Sequence, residues 1–419
     1  MKAILFSIGT RGDIEPFLAI SQLLKEKGWD VICVFPEQFR EIVEDMGIPF
    51  RGFSREFLDM LDSKDAKMFM GGHGSILTRI KFLLKMARVG IKLSKSFLSL
   101  QHNIQQEEKP DRVIYHPKCN YSLIWGMANP GKSIMVSPIP GTAHTIRHLT
   151  ILGNYGKTLN TLSFWLSNSM KAIILKKVSK KYSKDYPKLK ISFSSIKRIM
   201  LQKEKTLYTI SSSLFSRPEY WPLPAQIVGY YERDKTTSWC PDDLLLKFLK
   251  NHEKIVFISF GSMTNSDPKE KTRIIIDVLK KNNIPAIINT SWGGLEKIDK
   301  PLENIHFVSN IPYDWIFPKI YAAVHHGGSG TTHTALRYAC PSLIVPHILD
   351  QFFWKKTIST LNLGPSGIPI KKLNEQNFEN KLLDLISNKS YKKNSELISE
   401  KMKIESNKNK LYKMIKDLE

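Results

Sequence analysis

The first forty residues alternate between apolar runs and a segment with helical spacing. Lys2–Ile8 is an apolar run typical of a buried strand, and a glycine-containing turn over residues 9–13 follows it. In Pro16–Lys27 the apolar residues recur at intervals of three and four positions, which predicts an amphipathic helix, and Gly28 is a stop signal. A second apolar run covers Asp30–Phe35. This order predicts a βαβ unit and hence a parallel sheet covered by helices.

The same alternation continues along the chain and starts anew after the proline-rich segment Trp221–Pro224. We predict later strands of the first sheet at Arg112–Tyr115 and Ser133–Ser137. In the second half, Thr272–Lys281 has helical spacing. Apolar runs that predict strands there are Lys254–Phe260, Ala286–Asn289, Ile305–Val308, Ala322–His325 and Ser342–Val345. Strands that alternate with helices predict a second α/β unit with its own parallel sheet.

The length of 419 residues suits two domains, because a typical domain has roughly 100–200 residues. We expect an N-terminal domain over residues 1–220 and a second domain over residues 230–385. The lysine-rich stretch over residues 386–419 has helical spacing. We expect this tail to pack back on the N-terminal domain.

The chain is strongly basic. Its 62 Lys and Arg residues against 39 Asp and Glu residues give a net charge of +23, which favours phosphorylated ligands, nucleic acid or an acidic membrane surface as partners. Residues 145–205 hold fourteen basic residues, only two acidic ones and interleaved apolar residues. This pattern predicts amphipathic helices with a basic outer face. Contact with anionic lipid headgroups and an ordinary solvated face are both open interpretations.

The cysteines and the hydropathy of the chain indicate in which cellular compartment the protein is expected. The four cysteines lie far apart and form no CxxC pair, so we expect neither a disulfide framework nor a metal site. The N-terminal apolar run is too short for a secretory signal, and no uncharged apolar stretch of about 18 residues occurs. We therefore expect a cytoplasmic protein, with peripheral contact at the inner face of the membrane as an alternative.

The strongest chemical motif is His-His-Gly-Gly-Ser-Gly-Thr-Thr over residues 325–332, between a predicted strand and a segment of helical spacing. Glycines let a backbone approach a ligand closely, and a helix N-terminus attracts anions. Ser329, Thr331 and Thr332 add hydroxyl donors, and His326 adds a donor that is positive when protonated. The motif suits a diphosphate. Its alternative interpretation is a glycine turn with a helix cap.

A second motif follows over residues 341–351, where a predicted strand ends at a proline and an Asp-Gln pair comes after it. The carboxylate of Asp350 accepts hydrogen bonds, and the carboxamide of Gln351 both donates and accepts. Together they suit the vicinal hydroxyls of a hexose. Either residue alone is an ordinary turn or cap residue, so the combination with residues 325–332 indicates a nucleotide-sugar site.

These motifs resemble the donor-binding signature of family 1 glycosyltransferases. Residues 9–17, Gly-Thr-Arg-Gly-Asp-Ile-Glu-Pro-Phe, are similar to the opening of a subgroup that contains bacterial antibiotic and macrolide glycosyltransferases and the sterol glucosyltransferases. Further landmarks of the family match in order at Phe260–Ser262, Trp292–Leu295 and Val308–Pro318. The resemblance implies the GT-B fold, with two Rossmann-like domains facing across a cleft. It also implies inversion at the anomeric carbon without a metal ion.

The resemblance assigns roles on the donor side. The residues that it implies for the diphosphate of a UDP- or dTDP-hexose are Ser262, His326, Ser329, Gly330 and Thr331. It implies that Asp350 and Gln351 hold the donor sugar, and that Trp292, Val308 and Ile311 border the nucleoside base. The nucleotide sugar is a co-substrate, and no other cofactor is expected. The sequence leaves the choice between uracil and thymine open.

Inversion by direct displacement needs a base that takes the proton from the acceptor hydroxyl. Asp13 stands where the resemblance places the proposed base of the bacterial and sterol subgroup, and a helix cap is its alternative role. His144 is the rival base. Since an ordinary aspartate is a weak base for an alcohol, we expect desolvation by a bound apolar acceptor to assist by raising its pKa. Thr10, Arg11 and Gly12 complete the predicted acceptor side.

The sequence therefore predicts an inverting transferase that moves a glucose-like hexose onto a lipophilic acceptor of the sterol, polyketide, carotenoid or phenolic type. A membrane-surface enzyme with a lipid acceptor is the alternative, supported by residues 145–205. A sugar-nucleotide epimerase of the same fold is disfavoured because the donor motif occurs together with the segment over residues 9–13. A non-catalytic nucleic-acid-binding protein is disfavoured because the sequence carries no RNA-binding signature.

Overall fold

The computed structural model describes residues 1–53, 96–147, 156–187, 191–233, 239–265, 267–290, 293–298, 302–348 and 350–417. Contacts between residues divide the chain into two compact units. The first contains the described residues up to Arg233 together with those from Glu405 onward, and the second contains Asp234–Ile404. The stretch predicted as a C-terminal tail is thus shared between the two units.

The first unit is built on a seven-stranded parallel sheet with the order β3-β2-β1-β4-β5-β6-β7. Its strands are β1 (Lys2–Phe6), β2 (Asp30–Pro36), β3 (Phe50–Phe53), β4 (Arg112–Tyr115), β5 (Ser133–Ser137), β6 (Thr206–Tyr208) and β7 (Ala225–Ile227). The strand order reverses between β1 and β4. Ligands of doubly wound sheets bind at such a switch point, outside the carboxyl ends of the strands.

Helices connect and cover these strands. They are α1 (Arg11–Glu26), α2 (Arg40–Asp45), an additional helical segment over residues 96–108, α3 (Asn120–Ala128), α4 (Lys157–Lys181) and α5 (Phe193–Arg198). The core of α1 against the sheet contains Ile14, Phe17 and Ile20, which are fully buried. Burial of this apolar stripe is the reason that a helix forms here and packs on β1 and β2.

The predicted start of the first helix at Pro16 is wrong. α1 begins at Arg11, because the Asp13 carboxylate accepts a hydrogen bond from the amide of Thr10, the N-cap residue. This contact satisfies one of the unpaired N–H groups of the first turn. Pro16 therefore lies inside the helix, where its ring removes one backbone hydrogen bond.

The second unit contains a five-stranded parallel sheet with the order β10-β9-β8-β11-β12. Its strands are β8 (Val256–Ser259), β9 (Ala286–Asn289), β10 (Ile305–Val308), β11 (Ala322–His325) and β12 (Ser342–Ile344). The switch point lies between β8 and β11. The predicted α/β class with two parallel sheets is confirmed, and several strands, such as β9 and β11, have the predicted bounds.

The helices of the second half are α6 (Asp243–Asn251), α7 (Pro268–Lys281), α8 (Tyr313–Ile316), α9 (Ser329–Arg337), α10 (Gln351–Thr360), α11 (Glu375–Ser387), α12 (Lys389–Glu405) and α13 (Lys408–Lys416). The last helix, α13, belongs to the first unit, where Leu411 and Ile415 are buried in the same core as α1. The Arg112 side chain fixes it by donating hydrogen bonds to the Ile415 and Lys416 carbonyls.

The helix α4 differs from the prediction of a basic outer face. Its outer face exposes large apolar side chains, including Leu159, Trp165 and Met170, and its exposed lysines cluster toward its C-terminal end. Its inner face packs on the first unit through Ala172 and Leu175. Among the described residues, no helix is both long enough and apolar enough to cross a bilayer.

Candidate active site

The switch point of the first unit brings two loops together. β1 and β4 are adjacent parallel strands, with Phe6 paired to Tyr115. Asp13 follows β1 through the turn over residues 7–10, and His116 directly follows β4. The His116 backbone N–H donates to the Phe6 carbonyl at 2.8 Å, so the residue is fixed beside the end of β1.

The Asp13 side chain is held in place by its own loop. The Thr10 amide donates to Asp13 Oδ2 at 3.0 Å, and the Ser7 hydroxyl donates to the Asp13 carbonyl at 2.9 Å. Gly9 has a φ of 139°, and a Cβ at this position would overlap the Asp13 carboxylate. A residue with a side chain at position 9 would therefore displace the carboxylate, which explains the glycine in the turn.

His116 completes a buried dyad with Asp13. Its Nε2 lies 3.2 Å from Asp13 Oδ1, and its Nδ1 accepts a hydrogen bond from the Lys118 amide at 3.3 Å. A nitrogen that accepts carries no proton, so this network assigns the imidazole proton to Nε2, which donates it to Asp13. Because both ring nitrogens have partners, His116 orients the carboxylate and Asp13 is the group that can accept a further proton.

Charge around the dyad sets its protonation. Burial alone raises the pKa of Asp13, but the Lys118 ammonium at 3.5 Å, His116 and the Thr10 amide outweigh it and hold the pKa well below its usual range. Burial lowers the pKa of His116, although Asp13 partly offsets this effect. At neutral pH the dyad is therefore an aspartate and a neutral imidazole. Burial is the largest single effect on the pKa of Asp13, and only the charges and hydrogen bonds together outweigh it. Desolvation by a bound acceptor stays a prediction.

The other predicted residues of this turn have distinct environments. Arg11 Nε pairs with Glu15 Oε1 at 2.9 Å on the surface of α1, and Glu15 is also paired with Arg233. A Cβ added at Gly12 would meet no atom of the described residues within 4 Å. Arg11 therefore belongs to a surface ion-pair network, whereas, among the described residues, Gly12 leaves room beside Asp13.

His144, the rival base, lies in the loop after β5 and is packed among aromatic rings. Its Nδ1 is 2.9 Å from the Tyr208 hydroxyl, and its ring lies against Trp221 at a centroid distance of 5.5 Å. Burial, assisted by the Arg217 charge, lowers the pKa of His144 to about 4. The ring is thus neutral at pH 7, and one of its nitrogens is engaged with Tyr208.

In the second unit, two loops also meet at the switch point of the sheet, but they carry other side chains. β8 and β11 are adjacent, with Ser259 paired to His325, so the Gly261-Ser262 turn and His326 lie beside each other at the switch point. Gly261 has a φ of 57°, and a Cβ there or at Gly328 would collide with the His326 ring. The two glycines frame the imidazole, which explains why the loops are rich in glycine.

The N-terminus of α9 follows immediately. Gly328 is its N-cap, and Ser329, Gly330 and Thr331 form its first turn. A helix N-terminus with small residues lets an anion approach the backbone amides at the positive end of the helix dipole. The predicted diphosphate residues of this loop are therefore gathered within one turn of the helix and beside His326.

Buried histidines surround this loop. Within the described residues, His326 Nδ1 and His347 Nε2 are buried without a hydrogen-bond partner. Burial lowers the pKa of His326 to about 4, and burial together with His326 lowers the pKa of His347 to about 3, so both rings are neutral at pH 7. In the described part of the chain, no group of three or more His, Cys, Asp or Glu side chains could hold a metal ion.

The Asp-Gln pair stands at the start of the next helix. Asp350 is the N-cap residue of α10 and is partly exposed. Gln351 is buried, and its Oε1 accepts hydrogen bonds from the backbone amides of His347 and Ile348 at 2.7 and 3.1 Å. Its Nε2 lies 3.2 Å from the sulfur of Met263, a weak acceptor. The carboxamide oxygen thus fixes the loop after β12, and the NH2 group is the end that can serve a ligand.

The predicted nucleoside side is only partly described. Val308 ends β10, and its carbonyl accepts a hydrogen bond from the Thr290 amide at 2.9 Å. Ile311 is buried in an apolar cluster with Phe257 and Ile316. Trp292 lies outside the described residues. The structure therefore places Val308 and Ile311 on the segment that leaves the carboxyl end of β10.

Two family descriptions match this chain. Residues 3–103 match the glycosyltransferase family 28 N-terminal domain, and residues 277–418 match the erythromycin biosynthesis protein CIII-like C-terminal domain. A sterol 3-beta-glucosyltransferase of Arabidopsis thaliana is 27% identical over 393 residues, which cover 91% of this chain. The predicted resemblance to the sterol and antibiotic subgroup of family 1 glycosyltransferases is confirmed.

The chain matches only part of each of these relatives. The match covers 62% of the Arabidopsis protein. A sterol 3-beta-glucosyltransferase of Komagataella phaffii is 28% identical over 416 residues, which cover 92% of this chain and 32% of that protein. The chain thus spans less than two thirds of the length of these relatives.

Solved structures agree on the fold of the chain. The glycotransferase of kitacinnamycin superposes with a TM-score of 0.72 at 12% identity, covering 100% of this chain and 98% of the other. The glycosyltransferase SnogD from Streptomyces nogalater superposes with a TM-score of 0.63 at 17% identity and covers 99% of both chains. Both neighbours carry the GT-B fold, and the predicted fold is confirmed.

Sequence reasoning missed three residues of the candidate site that the structure places after the carboxyl ends of strands. His116 and Lys118 follow β4 and contact Asp13, and His347 follows β12 beside the donor loop. Each stands just after a predicted strand, so the rule that ligands bind at the carboxyl ends of parallel strands points to them. Which of these residues contact each other depends on which strands are neighbours in the sheet.

Proposed function

We propose that this glycosyltransferase inverts the anomeric centre as it moves a hexose from a UDP- or dTDP-sugar onto a hydroxyl of a lipophilic acceptor. The observation that carries the proposal is the ionised Asp13, which His116 orients at the switch point of the first unit. The names of the sterol glucosyltransferase relatives support a lipophilic acceptor. The glycine loop before α9 supports a diphosphate-containing donor.

Asp13 acts as the general base in this proposal. The acceptor oxygen forms a bond to the anomeric carbon while its proton passes to the Asp13 carboxylate. The bond between the anomeric carbon and the diphosphate oxygen breaks, and the nucleoside diphosphate leaves with the electron pair. His116 keeps one carboxylate oxygen oriented and, through its neutral ring, adds no positive charge beside the base.

The low pKa of Asp13 limits its strength as a base in the unliganded protein. The Lys118 ammonium lowers this pKa more than any other nearby group, and its side chain is about half exposed. An apolar acceptor that separates the Lys118 ammonium from Asp13 would remove this charge and increase desolvation. Both changes raise the pKa of Asp13 and make it a better base.

The donor side stabilises the leaving group. Negative charge develops on the diphosphate as the glycosidic bond breaks, and amides and hydroxyls that are already oriented stabilise such charge. In our proposal these groups come from Ser262 and the first turn of α9, and His326 becomes a cation when the diphosphate raises its pKa. Asp350 and the NH2 group of Gln351 hold the sugar, and Val308 and Ile311 border the base. The proposed mechanism uses no metal ion.

Ligand-dependent stability tests the donor assignment without a known acceptor. A ligand that binds only the folded protein raises its melting temperature. We expect UDP or dTDP, and the matching nucleotide sugar, to raise the melting temperature selectively over GDP and ADP. The His326→Ala variant is the matched control and should lose most of this shift. No shift with any of the nucleotides would overturn the donor assignment.

The nucleotide sugar identified in this way would then be used as the donor in a screen of acceptors. Sterols, polyketides, carotenoids and phenols would each be incubated with the stabilising nucleotide sugar, and the glycoside and released nucleoside diphosphate measured together. Equal amounts of the two products indicate transfer. Release of nucleoside diphosphate without a glycoside for every acceptor class would contradict the proposed transferase.

A further inference from the structure

The helix α4 is apolar on two opposite faces. Its inner face contributes Ala172, Leu175 and Val178 to the core of the first unit, where all three are buried. Its outer face contains seven large apolar side chains that remain 48–65% exposed: Leu159, Leu162, Trp165, Leu166, Met170, Ile173 and Ile174. A helix on the surface of a soluble unit normally exposes polar residues on this side.

The exposed apolar residues form one continuous stripe. Leu159, Leu162, Leu166, Met170 and Ile173 follow each other at intervals of three and four positions, so they share one side of the helix. At a rise of about 1.5 Å per residue, the stripe is roughly 20 Å long. Contiguous apolar surface of this kind indicates an interaction site.

Basic residues accompany the stripe, and acidic ones are absent from it. Lys176, Lys177, Lys180 and Lys181 are exposed in the last turns of the helix, and the sequence has no Asp or Glu between Lys157 and Lys184. The Lys197 ammonium of α5 lies 4.5 Å from the centre of the Trp165 ring. Tryptophan and lysine beside an apolar stripe are the residues that anchor helices at the interface of a bilayer.

We propose that α4 docks the protein on the surface of an anionic lipid bilayer. The apolar stripe enters the boundary between headgroups and acyl chains, and the lysine cluster contacts the anionic headgroups. A second copy of the chain is a poorer occupant, because it would bring an equally basic surface against the same lysines. This inference goes beyond the proposed transferase activity and does not depend on it.

The docking surface adjoins the Asp13 site within the first unit. Lys171 of α4 points inward and donates a hydrogen bond to the Pro117 carbonyl at 2.9 Å. Pro117 lies between His116 and Lys118, both of which contact Asp13. A bilayer bound by α4 is thus in contact with the helix that supports the loop of the dyad.

Vesicle co-sedimentation of the full chain tests the proposal. We expect binding to vesicles of phosphatidylglycerol and phosphatidylcholine, weak binding to phosphatidylcholine alone, and release as salt screens the headgroup charge. Replacing the stripe by glutamine in the variant L162Q/L166Q/M170Q/I173Q should weaken binding on the order of tenfold or more, because several large side chains no longer enter the bilayer. Glutamine preserves the helix.

Two matched variants control for composition and charge. L244Q/L246Q/L397Q/I404Q removes four exposed apolar side chains from α6 and α12, and should bind vesicles like the unmodified protein. K176Q/K177Q/K180Q/K181Q should lose the preference for anionic vesicles, whereas the same change at Lys393, Lys401, Lys403 and Lys410 should largely keep it. Unchanged melting temperatures would show that all variants are folded.

Three results would overturn the proposal. One is absence of binding of the unmodified protein to both types of vesicle. Another is equal binding of the stripe variant and the unmodified protein, which would assign any lipid binding to the general basic surface. The third concerns dimerisation, measured by sedimentation velocity. The unmodified protein would form a concentration-dependent dimer, whereas the stripe variant would no longer dimerise but would still bind vesicles. Nucleotide-induced stabilisation, measured in parallel, reports on the donor site separately.

Discussion

The Nε2 atom of His116 lies 3.2 Å from Oδ1 of Asp13, and its Nδ1 accepts the Lys118 amide. The adjacent strands β1 and β4 bring these residues together from distant parts of the sequence. The hydrogen-bond pattern determines the division of roles in the dyad. The carboxylate has capacity for another proton, whereas the imidazole already uses both nitrogens.

Asp13→Asn should lower kcat by about 10²–10⁴-fold, the usual contribution of a general base. The asparagine oxygen can still accept the Thr10 amide, so the start of α1 and the fold should be preserved. Steady-state kinetics with an identified acceptor, together with nucleotide binding, would measure this effect. Asp45→Asn, an exposed change at the end of α2, is the control. Unchanged turnover of the Asp13 variant would exclude it as the base.

His116 should act as a positioning residue. We expect His116→Ala to lower kcat by roughly tenfold, the effect of losing one hydrogen bond to a charged group worth about 1.5 kcal/mol. KM for the donor should change little. His116→Gln retains an N–H donor that can reach Asp13, so it should recover part of kcat. If both variants lose activity as fully as Asp13→Asn, the imidazole itself is the base.

Lys118→Gln should change the pH dependence of the reaction. The ammonium lowers the pKa of Asp13, so its removal raises that pKa. The base acts when ionised, and the acid limb of the kcat/KM profile should therefore move to higher pH. Lys132→Gln, which removes a partly exposed lysine elsewhere in the first unit, is the control. An identical acid limb in the Lys118 variant and the unmodified protein would mean that Asp13 does not control the profile.

Local sequence patterns predicted most of the fold. The apolar runs and their glycine turns predicted the two parallel sheets, because each strand and the loop after it are encoded in one short segment. The pairing of strands that are distant in the sequence is not encoded in such a segment. Nothing in the segment around His116 states that β4 pairs with β1, so the dyad partner of Asp13 required the structure.

The outer face of α4 shows a second limit of sequence patterns. The sequence pattern predicts a basic outer face, but this helix has apolar residues on both faces. Packing selects the face with Ala172 and Leu175, and the opposite face stays exposed. Similarly, Gln351 was assigned only to the sugar, whereas its oxygen holds the loop after β12. Which side-chain atoms already have a hydrogen-bond partner depends on the tertiary structure.

Buried neutral histidines should make stability depend on pH. Burial lowers the pKa of His326 to about 4 and, together with His326, that of His347 to about 3. In an unfolded chain these groups titrate near 6.5, so the unfolded state gains protons first as the pH falls. Each ring should cost about 2 kcal/mol of stability at pH 5. Unfolding measurements between pH 7.5 and 5 should show this loss, and His347→Gln should reduce its slope.

Donor binding should take up a proton through His326. The ring is neutral in the unliganded protein, and a bound diphosphate raises its pKa by favouring the charged form. Affinity for the nucleotide sugar should therefore increase as the pH falls from 8 to 6. A nucleotide sugar is the appropriate ligand because its diphosphate diester does not titrate in this range. Calorimetry in buffers of different ionisation enthalpy would count the protons. His326→Gln retains a donor but cannot become charged, so its affinity should be independent of pH, and persistent proton uptake in this variant would assign the effect to another group.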